Sequence, residues 1–244
     1  MTTLIDVRGD PHRPSCALRG GLLVPRRLPS EHGTVRVALV ASTALLLTGD
    51  HVTVEVRVAA GLRLEVVETA GTVAYAMPGG SARWDVRTEV GEAAVLTWGG
   101  LPFVVADGAR VHRSTDVELD AGATAVLRES LVLGRSGQLG GFLESRSRFR
   151  LQGRPLLVET LRLDPDARRD PAVLAGARCV DTVTVLGRRL PDGPDVLQLD
   201  RTGSVARRLV RQLHDSRLES TYRAACPPAT RTFRRSPTRA ADQT

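Results

Sequence analysis

Alternating apolar and polar positions dominate the middle of the chain. Residues 52–58 alternate valine with threonine, glutamate and arginine, and residues 62–66 and 82–87 keep the same period of two. A period of two sends successive side chains to opposite faces of a strand, so each stretch predicts a β-strand with one face in a core.

These strands belong to a repeated phrase of strand, glycine and strand. A valine precedes a glycine by five residues three times, with 30 and then 31 residues between copies: Val56 and Gly61, Val86 and Gly91, Val117 and Gly122. A fixed period of this length indicates one supersecondary unit stacked on itself. We therefore predict an all-β fold, a wound, β-helix-like stack of strands with one or two C-terminal helices.

The pattern divides the chain into four parts. Residues 1–20 are polar and predict a loose N-terminal segment, and residues 21–201 predict the all-β scaffold domain. Residues 202–226 predict a helical segment. Residues 227–244 begin with two prolines, carry four arginines and predict a disordered basic tail.

The helix of the third part rests on three apolar residues. Val205, Leu209 and Leu213 stand at i, i+4 and i+8, after Thr202 and Ser204, which could cap an N-terminus. The helix could pack on its own β-body or be offered to a partner, and these three residues are the candidate partner-binding positions.

Charge is concentrated at the C-terminal end of the chain. The formal net charge is +7, and residues 202–244 hold nine arginines against three acidic residues. All basic residues are arginine, which a GC-rich coding bias explains more simply than selection for phosphate binding. Three widely spaced cysteines without a CxxC pair are typical of a reducing compartment, so we expect a cytoplasmic protein. The longest apolar run, residues 37–47, is too short to span a bilayer, so we expect no membrane partner.

Candidate catalytic motifs are absent from the sequence, but carboxylates recur in the repeat. There is no GxSxG motif, no lysine for a phosphate-binding loop and no close histidine pair. The seventh residue after each repeat glycine is Glu68, Trp98 or Glu129. Two inward carboxylates would form a hard-ligand site or a polar conduit, whereas outward ones would be solvated acids. Glu129 could alternatively pair with Arg135 across a turn.

Several phrases in order resemble the UreD family of urease accessory proteins, called UreH in some organisms. They are the Leu-Leu-Thr-Gly-Asp stretch in 46–52, the strand 66–75 ending in tyrosine, the Leu-Pro stretch in 101–110 and the Glu…Gly-Arg…Gly segment in 129–140. Together they span roughly residues 22–200. Each phrase is weak alone, and their order and spacing carry the resemblance.

The resemblance implies a non-enzymatic scaffold that binds apo-urease, a UreF-like helical accessory protein and a UreG-like GTPase. It implies no tightly bound cofactor and no nucleic-acid partner, but nickel in transit through the β-body to urease. Asp50, Glu68 and Glu129 are then the candidate nickel-path residues. Two departures stand out: Val104 replaces a proline that the family pattern has, and Gly141 replaces a glutamate.

Two other classes of function stay open on the residues alone. A carbohydrate-active enzyme on a β-solenoid would need paired carboxylates and an aromatic platform, for which the chain has two tryptophans and two tyrosines. A nucleic-acid-binding module would use the arginine-rich tail, and its affinity would fall steeply with salt.

Overall fold

The computed structural model describes residues 2–31 and 33–228, and strands dominate it. In chain order these strands are β1 (Thr2–Asp10), β2 (Arg13–Arg19), β3 (Leu23–Glu31), β4 (Thr34–Ala41), β5 (His51–Val58), β6 (Arg63–Glu68), β7 (Thr72–Ala74), β8 (Ala82–Val90), β9 (Val95–Val105), β10 (Arg110–Leu119), β11 (Thr124–Leu133), β12 (Phe142–Leu151), β13 (Arg154–Leu163), β14 (Cys179–Leu186), β15 (Val196–Gln198) and β16 (Gly203–Val210). The helices are α1 (Pro165–Arg169), a 3-10 turn (Leu213–Asp215) and α2 (Leu218–Ala225). Within the described ranges, no helix has the length and apolar character needed to cross a membrane.

The strands form two sheets that face each other across one core. The first sheet has the order β13-β12-β10-β8-β5-β1-β2, and the second has the order β15-β16-β14-β11-β9-β6-β4-β3, with β7 beside β9. The inner strands of each sheet run parallel, because the chain passes repeatedly from the first sheet to the second. The predicted all-β, wound stack is confirmed.

The repeat is real, but its second copy is displaced by two residues from the sequence alignment. Val56 pairs with Thr88 and Thr88 with Val117, so successive copies lie 32 and 29 residues apart rather than 30 and 31. A displacement of two residues leaves every side chain on its predicted face. In the second sheet, Val67 pairs with Gly99, so the residue of β9 level with Glu68 is Gly100 instead of Trp98.

The prediction of a loose N-terminal segment over residues 1–20 is wrong. β1 adds to the first sheet in parallel with β5, and β2 pairs with β1 at the edge of that sheet. Ile5 and Val7 are completely buried in the core between the sheets. Their spacing of two carries the strand signal, and Asp6 between them pairs with Arg8.

The predicted helix over Val205, Leu209 and Leu213 is also wrong at its start. Residues 203–210 are β16, which pairs antiparallel with β14. Val205 is buried in the core, Leu209 is 45% exposed, and Leu213 lies in the 3-10 turn, so no single helix face presents them. The helix of this segment, α2, lies further on. Of the predicted basic tail, residues 229–244 lie outside the described part of the chain.

Helix α2 packs on the outer face of the second sheet. Leu218 and Ala225 are buried there with apolar side chains of β11, β14 and β16. Arg128 of β11 pairs both with the fully buried Asp181 of β14 and with Glu219 of α2. The ring of Tyr222 lies over Gly99, where a Cβ would come within 3.1 Å of it. Burial and charge pairing together fix the helix on the sheet.

Candidate functional site

A small cavity lies between the two sheets, beside the gap between β6 and β7. The space that it leaves to the centres of water molecules is about 40 Å³. Three aromatic and four charged residues contribute to its wall: Trp84, Trp98, Phe103, Glu68, Arg113, Arg128 and Glu129. Two of the three predicted nickel-path carboxylates thus share one cavity.

A β-bulge in β9 makes room for the cavity. Two residues of β9, Gly100 and Leu101, face the single residue Glu129 of β11. A Cβ at Gly100 would lie 2.6 Å from the carbonyl oxygen of Arg128, so glycine is required for this close backbone approach. Because Gly100 carries no side chain, the space between Glu68 and Glu129 stays open.

Glu68 is held in place by two hydrogen bonds from β9. Its Oε1 accepts from Nε1 of Trp98 at 3.0 Å, and its Oε2 accepts from the backbone N–H of Leu101 at 2.8 Å. Burial raises the pKa of Glu68 above its usual value, and the negative charge of Glu129 adds to this. The two hydrogen bonds and the charge of Arg113 oppose the shift without cancelling it.

Arg113 carries a positive charge into the same cavity from the opposite sheet. Its guanidinium donates to Oε1 of Glu129 at 2.6 Å and lies 4.8 Å from the centre of the Phe103 ring. The Arg113 side chain is only 8% exposed, and its Nε has no hydrogen-bond partner in the part of the chain described. Glu129 therefore pairs with Arg113. It does not pair with Arg135, which is the partner that the sequence had left open.

Sequence reasoning missed Arg113, although a signal for it exists. The core-facing positions of β10 read Val111, Arg113, Thr115 and Val117, and all four are buried. An arginine at a core-facing position is unusual, since a buried charge needs a partner. The alternation along β10 is therefore sufficient to mark Arg113 as an interior group.

A second cavity adjoins the first at Glu68. Its volume, measured as for the first cavity, is about 200 Å³. Glu68, Thr72 and Trp84 line both cavities. Its other wall comes from the end of β4 and the loop after it, including Leu39 and Thr43. Glu68 consequently lies between the small cavity in the core and a larger one near the strand ends.

Polar side chains continue from Glu129 across the inner face of the second sheet. Glu129 pairs in register with Thr182 of β14, and Thr182 pairs with Arg207 of β16. Arg207 donates through both terminal nitrogens to Glu159 of β13, at 2.7 and 2.6 Å, and through Nε to Thr182 at 3.2 Å. A row of polar groups thus reaches from the cavity to the last strands of both sheets.

Asp50, the third predicted nickel-path residue, lies elsewhere. Its carboxylate accepts from the backbone N–H of Leu47 at 2.8 Å in a turn, and it lines neither cavity. The neighbouring His51 bonds to Asp85 at 2.7 Å, and Ser114 donates to the other oxygen of Asp85 at 2.6 Å. Because both bond to the carboxylate, the arrangement gives the serine no imidazole base, unlike a catalytic triad.

The described residues offer no ready-made metal centre. Over 2–31 and 33–228, no group of three or more histidine, cysteine, aspartate and glutamate residues is placed to hold a metal ion. Glu68, Glu129, Arg113 and Arg128 are the charged residues that line the small cavity, and the side chain of Arg128 is already paired with Asp181 and Glu219. Two oxygen donors would hold a borderline ion such as Ni²⁺ weakly, since imidazole and thiolate ligands are absent there.

Both departures from the expected family pattern have a structural setting. Val104 pairs with β7 on one side and with β11 on the other, where a proline would remove a donor from the sheet. A Cβ at Gly141 would overlap the carbonyl oxygen of Ala109 and lie 2.7 Å from that of Ala106. A glutamate at position 141 would therefore require this loop to move.

Comparisons with known proteins agree with the resemblance that the motifs carry. Residues 13–233 match the family described as UreD urease accessory protein. The urease accessory protein UreD 1 of Streptomyces griseus is 42% identical over 208 residues, which are 85% of this chain and 82% of that protein. The urease accessory protein UreD of Streptomyces avermitilis is 39% identical over 194 residues, 76% of each chain. That of Streptomyces coelicolor is 39% identical over 172 residues, 68% of this chain and 67% of the relative.

Proposed function

The chain belongs to the UreD family of urease accessory proteins, and from this premise we propose that it acts in urease maturation as a non-enzymatic scaffold in the cytoplasm. In this role it binds apo-urease and joins it to a UreF-like helical accessory protein and a UreG-like GTPase. The chain has no lysine and so no phosphate-binding loop of the usual kind, which is why nucleotide chemistry is assigned to a partner.

We further propose that nickel passes through the interior of the β-body on its way to urease. One observation carries this proposal: Glu68 and Glu129 line a single cavity between the sheets, and Glu68 also lines the larger cavity beside it. Carboxylate oxygens bind Ni²⁺ less tightly than imidazole or thiolate, and weak binding suits a cargo that must leave again.

A polysaccharide-cleaving enzyme is not favoured by this cavity. It does contain two carboxylates and two tryptophans, Trp84 and Trp98. The space left to the centres of water molecules is only about 40 Å³, and Arg113 already pairs with one of the two carboxylates. The alternative of a nucleic-acid-binding tail depends on residues outside the described ranges.

The scaffold role is tested by expressing the urease subunits with the helical partner and the GTPase, with and without this chain. We expect nickel content and urease activity to fall strongly when the chain is omitted. Equal nickel content in both preparations would refute the assignment.

The nickel path is tested by Glu129→Gln, which keeps an acceptor for Arg113 and removes the charge. We expect the complex with the partners to assemble normally and the nickel content of urease to fall by about tenfold, as a lost carboxylate ligand predicts. The matched control is Glu89→Gln, because the Glu89 side chain is 71% exposed on the outer face of the first sheet. A loss of assembly with Glu129→Gln would make this residue structural instead.

A further inference from the structure

We propose that the guanidinium of Arg113 is a built-in counter-ion. It occupies the cation position between Glu68 and Glu129, and a divalent cation must displace it to pass. This inference rests on the proposed nickel path and adds a regulatory residue to it. In the resting protein, Arg113 neutralises one of the two carboxylates and presents a like charge to the arriving metal ion.

The burial and pairing of Arg113 support this role. Its side chain is 8% exposed, lines the cavity and makes one hydrogen bond, to Glu129 at 2.6 Å. Its Nε is buried without a partner among the residues described. A buried guanidinium has five donors, and one that satisfies so few of them is held less firmly than a fully paired one.

Two partly buried arginines show what firm pairing looks like in the same protein. Arg207 binds Glu159 with two parallel hydrogen bonds and Thr182 with a third. Arg128 binds Asp181 through both Nε and a terminal nitrogen and also contacts Glu219. Bidentate pairs add geometric specificity as well as energy, so the single contact of Arg113 to Glu129 is the weakest of the three.

The cavity also contains a place for the displaced guanidinium. Arg113 already lies over the ring of Phe103, 4.8 Å from its centre, and the ring face attracts a cation without any hydrogen bond. When a divalent cation takes the oxygens of Glu68 and Glu129, the guanidinium can lose Glu129 and keep Phe103. Two carboxylates then match the charge of the metal, and the return of Arg113 to Glu129 favours release.

The test measures binding of Ni²⁺ alone to the full chain by equilibrium dialysis. Arg113→Met removes the charge and keeps the length of the side chain. An arginine beside a carboxylate weakens proton binding to that carboxylate by about ten- to a thousandfold. Removing the charge of Arg113 should relieve the same repulsion of a metal ion, so we expect Ni²⁺ to bind at least about tenfold more tightly than to the unaltered chain. Arg113→Lys keeps the charge and should leave Ni²⁺ binding unchanged. The double variant Arg113→Met/Glu129→Gln should lose the gain.

Arg207→Met is the matched control, because it also leaves an interior glutamate, Glu159, without its arginine. If Ni²⁺ binding rises equally in this control, any unpaired carboxylate would suffice, and the proposal for Arg113 fails. Arg113→Gln, which retains a donor for Glu129, serves where the methionine variant does not fold, and it should show the same gain.

Unchanged or weaker Ni²⁺ binding by both folded Arg113 variants overturns the proposal. That result leaves the scaffold role untouched, provided that urease loading still depends on the presence of the chain. In the coexpression assay, the expected consequence of Arg113→Met is nickel retained on the chain and a lower nickel content of urease, with the complex intact.

Discussion

Replacing Asp181 by alanine is expected to destabilise the protein more than any exposed charge substitution. The Asp181 side chain is completely buried and accepts two hydrogen bonds from Arg128, at 3.3 and 3.2 Å. It also accepts from the hydroxyls of Ser130 at 2.7 Å and Ser216 at 2.5 Å. These bonds join β11, β14 and the segment that leads into α2, so their loss affects the packing of the helix as well.

The magnitude follows from what Asp181→Ala leaves behind. Removing one partner of a buried ion pair costs about 3–5 kcal/mol, because the remaining charge stays desolvated. Arg128, which is 15% exposed, keeps its contact with Glu219, and this limits the cost to the lower half of that range. The two hydroxyls lose an acceptor each, at about 1 kcal/mol apiece. We therefore expect the free energy of unfolding to fall by about 5–6 kcal/mol overall.

Urea unfolding of the full chain, followed by circular dichroism, measures this change. The control is Asp195→Ala, because Asp195 is 42% exposed and lies 3.6 Å from Arg208 at the surface. An exposed pair of this kind contributes less than about 1 kcal/mol. Asp181→Asn keeps acceptors for the hydroxyls and should fall between the two. A loss below about 1 kcal/mol for Asp181→Ala would refute the reasoning that this network is a buried ion pair.

Two further predictions concern Glu68 and a glycine turn. The pKa of Glu68 is raised in the folded protein, so its stabilising contribution is complete below the unfolded pKa and is lost as the pH rises through the folded value. The difference in unfolding free energy between the unaltered chain and Glu68→Gln should therefore decrease as the pH rises above about 4.5, the usual pKa of a glutamate. A difference that does not change with pH would contradict the raised pKa of Glu68. Gly187→Ala should cost several times more than Gly153→Ala in urea unfolding. Both glycines have positive φ, of 80° and 71°, but only at Gly187 would a Cβ overlap a neighbouring carbonyl oxygen, that of Ala123. The strain common to both is about 1 kcal/mol, so equal costs would show that the overlap is relieved by movement.

The period-two alternation was enough to predict the all-β, wound fold. The valines of β5 face the core as predicted, and the strand-turn-strand unit recurs in three stacked copies. The alignment of the copies failed by two residues, because Gly91 was matched to Gly61. In the structure the position equivalent to Gly61 is Ala93, which has a φ of 53°. An alanine in a left-handed conformation carries no sequence signal, so the error could not be seen from residue types.

The error in the C-terminal segment has a different physical cause. A spacing of four residues places Val205 and Leu209 on one face of a helix, but four is also an even number and places them on one face of a strand. Only pairing with β14 distinguishes the two, and that contact joins residues about 25 positions apart, as Thr182 and Arg207 do. Local pattern could not supply it.

The candidate site could be predicted only in part from the sequence. Glu68 and Glu129 were selected by their equal distance from a glycine, and the structure does bring both to one cavity. The glycine between them, Gly100, and the cation opposite them, Arg113, were not selected. One depends on a bulge in β9, and the other comes from the facing sheet, so neither follows from periodicity along a single strand.

The polarity of the interior limits the direction that a nickel path can take. Across the first sheet, the paired inner positions change in order from Val52 to Trp84, Arg113 and Ser145. At this level, the inner face of the first sheet is therefore apolar on β5 and β8 and polar on β10 and β12.

A cation that reached Glu68 from the polar end would meet a valine-lined core if it continued along the axis of the stack. Desolvating a charge against such a wall is far more costly than leaving by a polar opening. The larger cavity at Glu68, bordered by Thr43, Thr69 and Thr72, provides an opening sideways at the strand ends. The proposed path consequently turns at Glu68, and Thr72, which lines both cavities, is the next residue along it.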